Sequence, residues 1–169
     1  MDKKKEQKLL EEFPDIFRDY YEKDITQSCM PWGICCGNGW YDLLRLLCLE
    51  ITILSRDKNI QVIADQVKEK FGGLRFYFHI KNPSASKFWW VLREFFYKCR
   101  LGRQYNFILD LRRKFWRSTE EKIFDIVMKA EQDSYKICEQ CGQPGKTRGG
   151  GWVRTLCEKC EKDYKKDYI

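Results

Sequence analysis

The chain has 169 residues, of which 43% are apolar, 34% charged and 15% aromatic, and it carries a formal charge of +7. This is a globular composition that excludes a disordered or low-complexity chain, and the length allows one domain with a proper core plus a small module. No run approaches eighteen apolar residues and the charged start Met1-Asp2-Lys3-Lys4-Lys5-Glu6 has no apolar leader, so a soluble, cytoplasmic protein without a transmembrane segment is expected. The excess charge is local. Residues 81–117 hold ten Lys/Arg against two acids, whereas the rest of the chain holds 22 basic and 23 acidic side chains.

Taken in order, Leu9, Leu10, Phe13, Ile16, Phe17 and Tyr20 recur at helical spacing and are interrupted by Pro14. The pattern predicts a helix to about Glu12 and a second turn over residues 14–22. Residues 29–39 form a loop rich in cysteine and glycine. It opens onto an amphipathic helix from Trp40 to about Ser55, with Leu43, Leu44, Leu47, Ile51 and Leu54 on its apolar face. A glycine loop that feeds a helix presents unpaired N–H groups, which makes Gly37, Asn38 and Gly39 candidates for holding an anion. An ordinary tight entry into the helix, the usual role of such a loop, is the alternative. Cys36, near the same helix start, is the one candidate for an activated thiol. No fourth ligand at a normal spacing completes a metal site with Cys29, Cys35 and Cys36; these three, Cys48 and Cys99 receive no role.

The period then changes. Leu74, Phe76, Phe78 and Ile80 alternate with Arg75, Tyr77 and His79, which predicts a strand with one buried face. Phe71-Gly72-Gly73 is a turn and residues 60–68 are the partner strand. Lys68, Lys70, Arg75 and Tyr77 project from this hairpin, where they either hold an anionic ligand or are simply solvated. His79, the sole histidine, has no visible partner. Residues 81–117 read as an inserted helical hairpin: Asn82-Pro83-Ser84 breaks the strand, one helix runs to about Cys99, and a second runs from Gln104 to Arg117. Its off-face residues mix aromatic and basic groups. Trp89, Trp90, Arg93, Arg100, Arg112, Arg113, Lys114 and Arg117 are therefore candidates for contacting an acidic protein or nucleic acid, the alternative being a well-packed hairpin. Ser118-Thr119-Glu120-Glu121 is a capping box, and the helix it starts carries Ile123, Ile126, Val127 and Ala130 as its core stripe.

Cys138, Cys141, Cys157 and Cys160 follow the pattern C-x2-C-x15-C-x2-C. Two CxxC turns each aim two thiolates at one ion, a spacing that suits a tetrahedral Zn²⁺; buried thiols or two disulfides are the alternatives. A helix after the second pair favours a treble-clef-like module over a plain zinc ribbon. The expected fold class is thus α+β, a small β-hairpin packed with several helices plus a C-terminal four-cysteine zinc module. The expected division is 1–80 with 118–136 as the core, 81–117 as the basic aromatic insert and 137–169 as the zinc-binding module.

Three segments together carry a resemblance: Cys36-Gly37-Asn38-Gly39-Trp40 with its helix, Lys68-Glu69-Lys70-Phe71-Gly72-Gly73-Leu74-Arg75-Phe76-Tyr77, and residues 134–160 with Trp152-Val153-Arg154-Thr155-Leu156-Cys157. They resemble an uncharacterised family of small bacteriophage and prophage zinc-binding proteins. This chain departs from that pattern in a longer 81–117 segment, in Cys160 where His is frequent, and in Asn38 where Asp is usual. The resemblance implies a phage setting, in which small accessory proteins bind and disarm host machinery. The function expected is therefore a non-enzymatic accessory protein that binds and inhibits a host protein, as in counter-defence. The alternatives are a nucleic-acid-binding protein and a protein that sequesters a small anionic or nucleotide ligand. An enzyme has least support, given one histidine and a metal site closed by four protein ligands.

Overall fold

The computed structural model describes residues 1–56, 60–81, 118–149 and 152–167. The chain is α+β, with five helices and two small antiparallel sheets among these residues. Helix α1 (Lys3–Glu12) is capped by Asp2, whose carboxylate accepts from Lys5 N–H at 2.8 Å, and it stops just before Pro14. A short α2 (Arg18–Glu22) follows, ending at Lys23 in the left-handed conformation. Two 3-10 turns, Met30–Trp32 and Asn38–Trp40, lead into α3 (Tyr41–Arg56). Leu44, Leu47, Cys48 and Ile51 are its buried face, with Leu43 and Leu54 packed at the margin.

Strands β1 (Gln61–Lys70) and β2 (Gly73–Lys81) make the expected hairpin. Lys70 pairs with Gly73, so Phe71 and Gly72 alone form the turn, at φ of +53° and +75°. Two positive φ values in a two-residue loop match the twist of the strands that the loop joins. The register slips between Ala64 and Gln66, leaving Asp65 as a bulge. Its carboxylate meets His79 Nδ1 at 2.6 Å, so the histidine does have a partner. No apolar spacing announces that pair, because the bulge creates it.

A two-stranded hairpin is marginal alone and exposes two edges. Both edges are occupied here. On the β1 side Cys35 forms a parallel bridge to Lys68, giving N–H to Val67 O and taking it from Glu69, each at 2.9 Å. Further along, Cys29 N–H donates to Asp65 O and Ala64 N–H donates to Ile16 O, each at 2.8 Å. On the β2 side the N–H groups of Leu74 and Phe76 donate to Ser134 Oγ and Glu131 Oε1, each at 2.9 Å. Ser134 and Glu131 lie on α4 (Thr119–Ser134), which opens with the Ser118–Glu121 capping box.

Helix α4 packs on β2 and α3, and α2 packs on β1. Leu9, Leu10, Phe13 and Phe17 close the core with Ile123, Val127 and Ala130 against Val62, Val67, Leu74 and Phe76. Each of these side chains larger than alanine contributes about 1.5–3 kcal/mol by leaving water, which is what holds the small sheet. The remaining elements are β3 (Lys146–Arg148), β4 (Arg154–Leu156) and α5 (Glu158–Asp167). No helix among the described residues is long and apolar enough to cross a membrane. The basic aromatic segment, with Trp89, Trp90, Arg93, Cys99, Arg100, Arg112, Arg113, Lys114 and Arg117, lies outside the described residues.

Ser134→Ala tests the covered β2 edge. The buried Leu74 N–H loses its acceptor, so the free energy of unfolding should fall by about 1–3 kcal/mol in a denaturant titration, with the fold retained.

Candidate metal centre

The first cysteine pair sits on a knuckle directly after α4. Cys138 N–H donates to Gln143 O at 2.8 Å, and Gly142 N–H donates to Cys138 O at 2.9 Å, curling the backbone around Cys138 and Cys141. The second pair is brought back by the β3–β4 hairpin and the first turn of α5: Cys157 precedes the helix and Cys160 lies within it. A knuckle, a hairpin and a helix carrying the second pair is a treble-clef arrangement.

All four sulfurs lie within 4.8 Å of one another, and those of Cys141 and Cys157 are 3.6 Å apart. A tetrahedral ion with metal–sulfur bonds of about 2.3 Å needs sulfurs roughly 3.8 Å apart, so the set fits. The eight cysteines among the described residues are free thiols, and the two-disulfide alternative is not the arrangement found. Cys160 N–H donates to Cys157 Sγ at 3.4 Å and brings that thiol down to about 7, whereas burial and the neighbouring sulfurs push Cys160 up. Four thiolates this close repel one another, and a bound cation removes that conflict. Among the described residues no other group of three or more Cys, His, Asp or Glu gathers in this way.

The knuckle is not an appendage. Gly39 N–H donates to Glu139 O at 2.8 Å, and the Trp40 indole N–H donates to Ile137 O at 2.8 Å. A Cβ on Gly37 would strike Glu139 O, and one on Gly39 would strike Cys138 O. These glycines are needed because two backbones touch there. The Gly39 N–H, one of the donors an anion would need, is already given to Glu139 O. Asn38 is equally engaged, since its Oδ1 accepts from Asp2 N–H at 2.7 Å and its carbonyl accepts from Lys5 Nζ at 3.1 Å. The Gly37–Asn38–Gly39 loop is thus a seat for the knuckle and for the start of α1.

The hairpin tip is joined to the same module. Thr155, fully buried, donates through Oγ1 to Gly72 O at 2.6 Å, and its carbonyl accepts from Glu139 N–H at 2.9 Å. Arg154 faces buried Glu139 at 3.6 Å and lies 4.7 Å from the Tyr164 ring centroid, while Arg148 pairs with Glu161 at 3.1 Å, clamping α5 to the hairpin. Burial raises the Glu139 carboxyl above its ordinary range, against the pull of Arg154. Spacing alone indicates none of Trp40, Glu139 and Thr155, whose partners are distant in sequence.

The other candidate residues are dispersed. Lys68 lies 5.3 Å from the Tyr77 ring centroid and Lys70 lies 5.5 Å from that of Phe71. Arg75 turns to α4, donating to Tyr135 OH at 2.8 Å with Glu131 at 3.7 Å. Cys36 is buried, and desolvation pushes its thiol up to about 12, the reverse of what an activated thiol needs. Cys48 is a core residue, Cys35 an exposed edge residue and Cys29 half-buried. No protein-family model, curated protein or solved structure matches this chain.

Gly39→Ala should displace the knuckle, costing about 1–3 kcal/mol as overpacking does. It should also speed metal loss to a chelator at least tenfold, a ~1.4 kcal/mol effect. Gly149→Ala, whose new methyl meets nothing within 4 Å, should leave both unchanged. Chelator competition followed by absorbance, beside denaturant unfolding, reads both variants.

Proposed function

We propose that this chain is a non-enzymatic, phage-type accessory protein that acts in the host cytoplasm by binding, and thereby inhibiting, a host component, with Zn²⁺ as a structural ion. Cys138, Cys141, Cys157 and Cys160 would hold the ion. Four thiolates in a tetrahedron suit Zn²⁺ and leave no open position for water or substrate, so the metal contributes folding energy and no reaction step. The observation that carries this reading is the union of the four-sulfur cluster with the core: the first knuckle rests backbone to backbone on Gly39, and Thr155 joins β4 to the hairpin tip. A metal placed there fixes the geometry of a surface. The resemblance to small phage and prophage proteins supports the setting and the accessory role.

Protein purified without chelator should contain one zinc per chain by elemental analysis. Cys157→Ser should lose it and lower the unfolding free energy by more than about 4 kcal/mol, as loss of a structural metal does. Absence of zinc from the wild-type protein would overturn the cofactor. A pull-down from host lysate, with and without nuclease, tests the partner; failure to retain any host component in either arm would overturn the binding role.

A further inference from the structure

The two hairpin tips leave an unexplained surface. Phe71 occupies the β1–β2 turn at φ +53°, a left-handed conformation that costs energy for a bulky side chain and that Asn or Gly adopts more readily. Burial does not compensate, since 68% of the residue is exposed. Trp152, beside the β3–β4 hairpin, is also 68% exposed, and Tyr77 on the outer face of β2 is 43% exposed. Phe71 and Trp152 lie at tips that meet. A Cβ on Gly72 would lie 3.2 Å from both Val153 and Arg154, so the neighbours of Phe71 and Trp152 touch. Tyr77 shares a sheet face with Lys68, Arg75 and Lys70, by the pairing of Lys68 with Arg75 and Gln66 with Tyr77. Lysines stand over two of the rings, Lys68 over Tyr77 and Lys70 over Phe71.

We infer that this face, Tyr77–Lys68–Lys70–Phe71 continued by Trp152, binds single-stranded nucleic acid. The inference rests on the binding-protein reading above and names the partner's class. Every base offers a face to an exposed ring, while the lysines beside the rings meet the phosphates. A protein partner fits less well, because lysine is depleted from protein interfaces where aromatics are enriched. Along a strand at about 3.3 Å per residue, Tyr77 and the turn are roughly 15–20 Å apart, a span of a few extended nucleotides. The left-handed Phe71 is then a ring held out for stacking, which explains a backbone cost that the fold alone does not repay.

The test is fluorescence anisotropy of an end-labelled oligothymidylate of about 20 nucleotides with the full zinc-loaded chain at several salt concentrations. The wild type should bind, with affinity falling as salt rises. Phe71→Asn and Trp152→Ala should each weaken binding roughly tenfold at an unchanged salt slope. Phe71→Asn should at the same time leave the fold intact or more stable, because it suits the turn better. Lys68→Gln with Lys70→Gln should reduce the log–log salt slope by about 1.4, at ~0.7 per phosphate contact, whereas Lys4→Gln with Lys8→Gln should not change it. No binding by the wild type, or binding left unchanged by Phe71→Asn, by Trp152→Ala and by the paired change at Lys68 and Lys70, would overturn the inference. So would a host protein captured after nuclease treatment and lost on Phe71→Asn, which would keep the binding role and replace the partner. Zinc-dependent cleavage of the oligonucleotide would instead overturn the non-enzymatic reading itself.

Discussion

Contact between two stretches of backbone governs this molecule. The glycine loop ahead of α3 and the knuckle after α4 approach so closely that neither Gly37 nor Gly39 has room for a Cβ. Residues 36–40 and 137–142 lie about a hundred positions apart in the chain, and hydrogen bonds from Gly39 N–H and the Trp40 indole close the gap. The buried Trp40 then roots the same junction in the hydrophobic core. A metal in the four-thiolate cluster would stiffen one partner of that contact, and the order would pass directly into α3 and the loop beside β1. Metal binding and folding of the core would then be one event, as expected where thiolates gather only in the folded chain.

The hairpin illustrates how such a fold accommodates a sheet of two strands. Its outer hydrogen-bonding groups are met on one side by irregular backbone at Ile16, Cys29 and Cys35, and on the other by the Ser134 and Glu131 side chains of α4. Covered edges are protected from pairing with other chains, and they also fix the strand in one register. The tip is held by Thr155, so the anchored end of the hairpin is the end that meets the four-cysteine module. Exposed aromatic rings beside that end, with lysines over them, are consequently presented on backbone that is braced from three directions. Backbone already held in place would lose little conformational freedom if the rings it carries stacked on a ligand.

Much of this architecture is legible in the residues themselves. Apolar residues at helical spacing mark α1, α3 and α4 to within a residue or two, since each helix must bury one stripe. The alternation Leu74, Phe76, Phe78, Ile80 marks β2, and the capping box at Ser118 marks the start of α4. Cysteine spacing alone identifies the four residues that converge, because a CxxC turn presents both sulfurs on one side whatever surrounds it. Local geometry and composition decide all of these, so the sequence carries them without help.

What only the tertiary structure decided is the use to which exposed or glycine-rich positions are put. Gly37, Asn38 and Gly39 have the composition of an anion loop, yet the Gly39 N–H is taken by the knuckle and the Asn38 oxygens by Asp2 and Lys5. Cys36 has the position of an activated thiol, yet burial holds its proton in place. His79 gains Asp65 only because β1 bulges, and Arg75 turns away from an outer face to Tyr135. In each case the deciding neighbour is not adjacent in the chain, and solvation, which sets both charge and availability, depends on what packs above a residue. Sequence by itself determined the elements and the four-cysteine set; which polar groups remain free to act was settled by contacts that exist only once the chain has closed on itself.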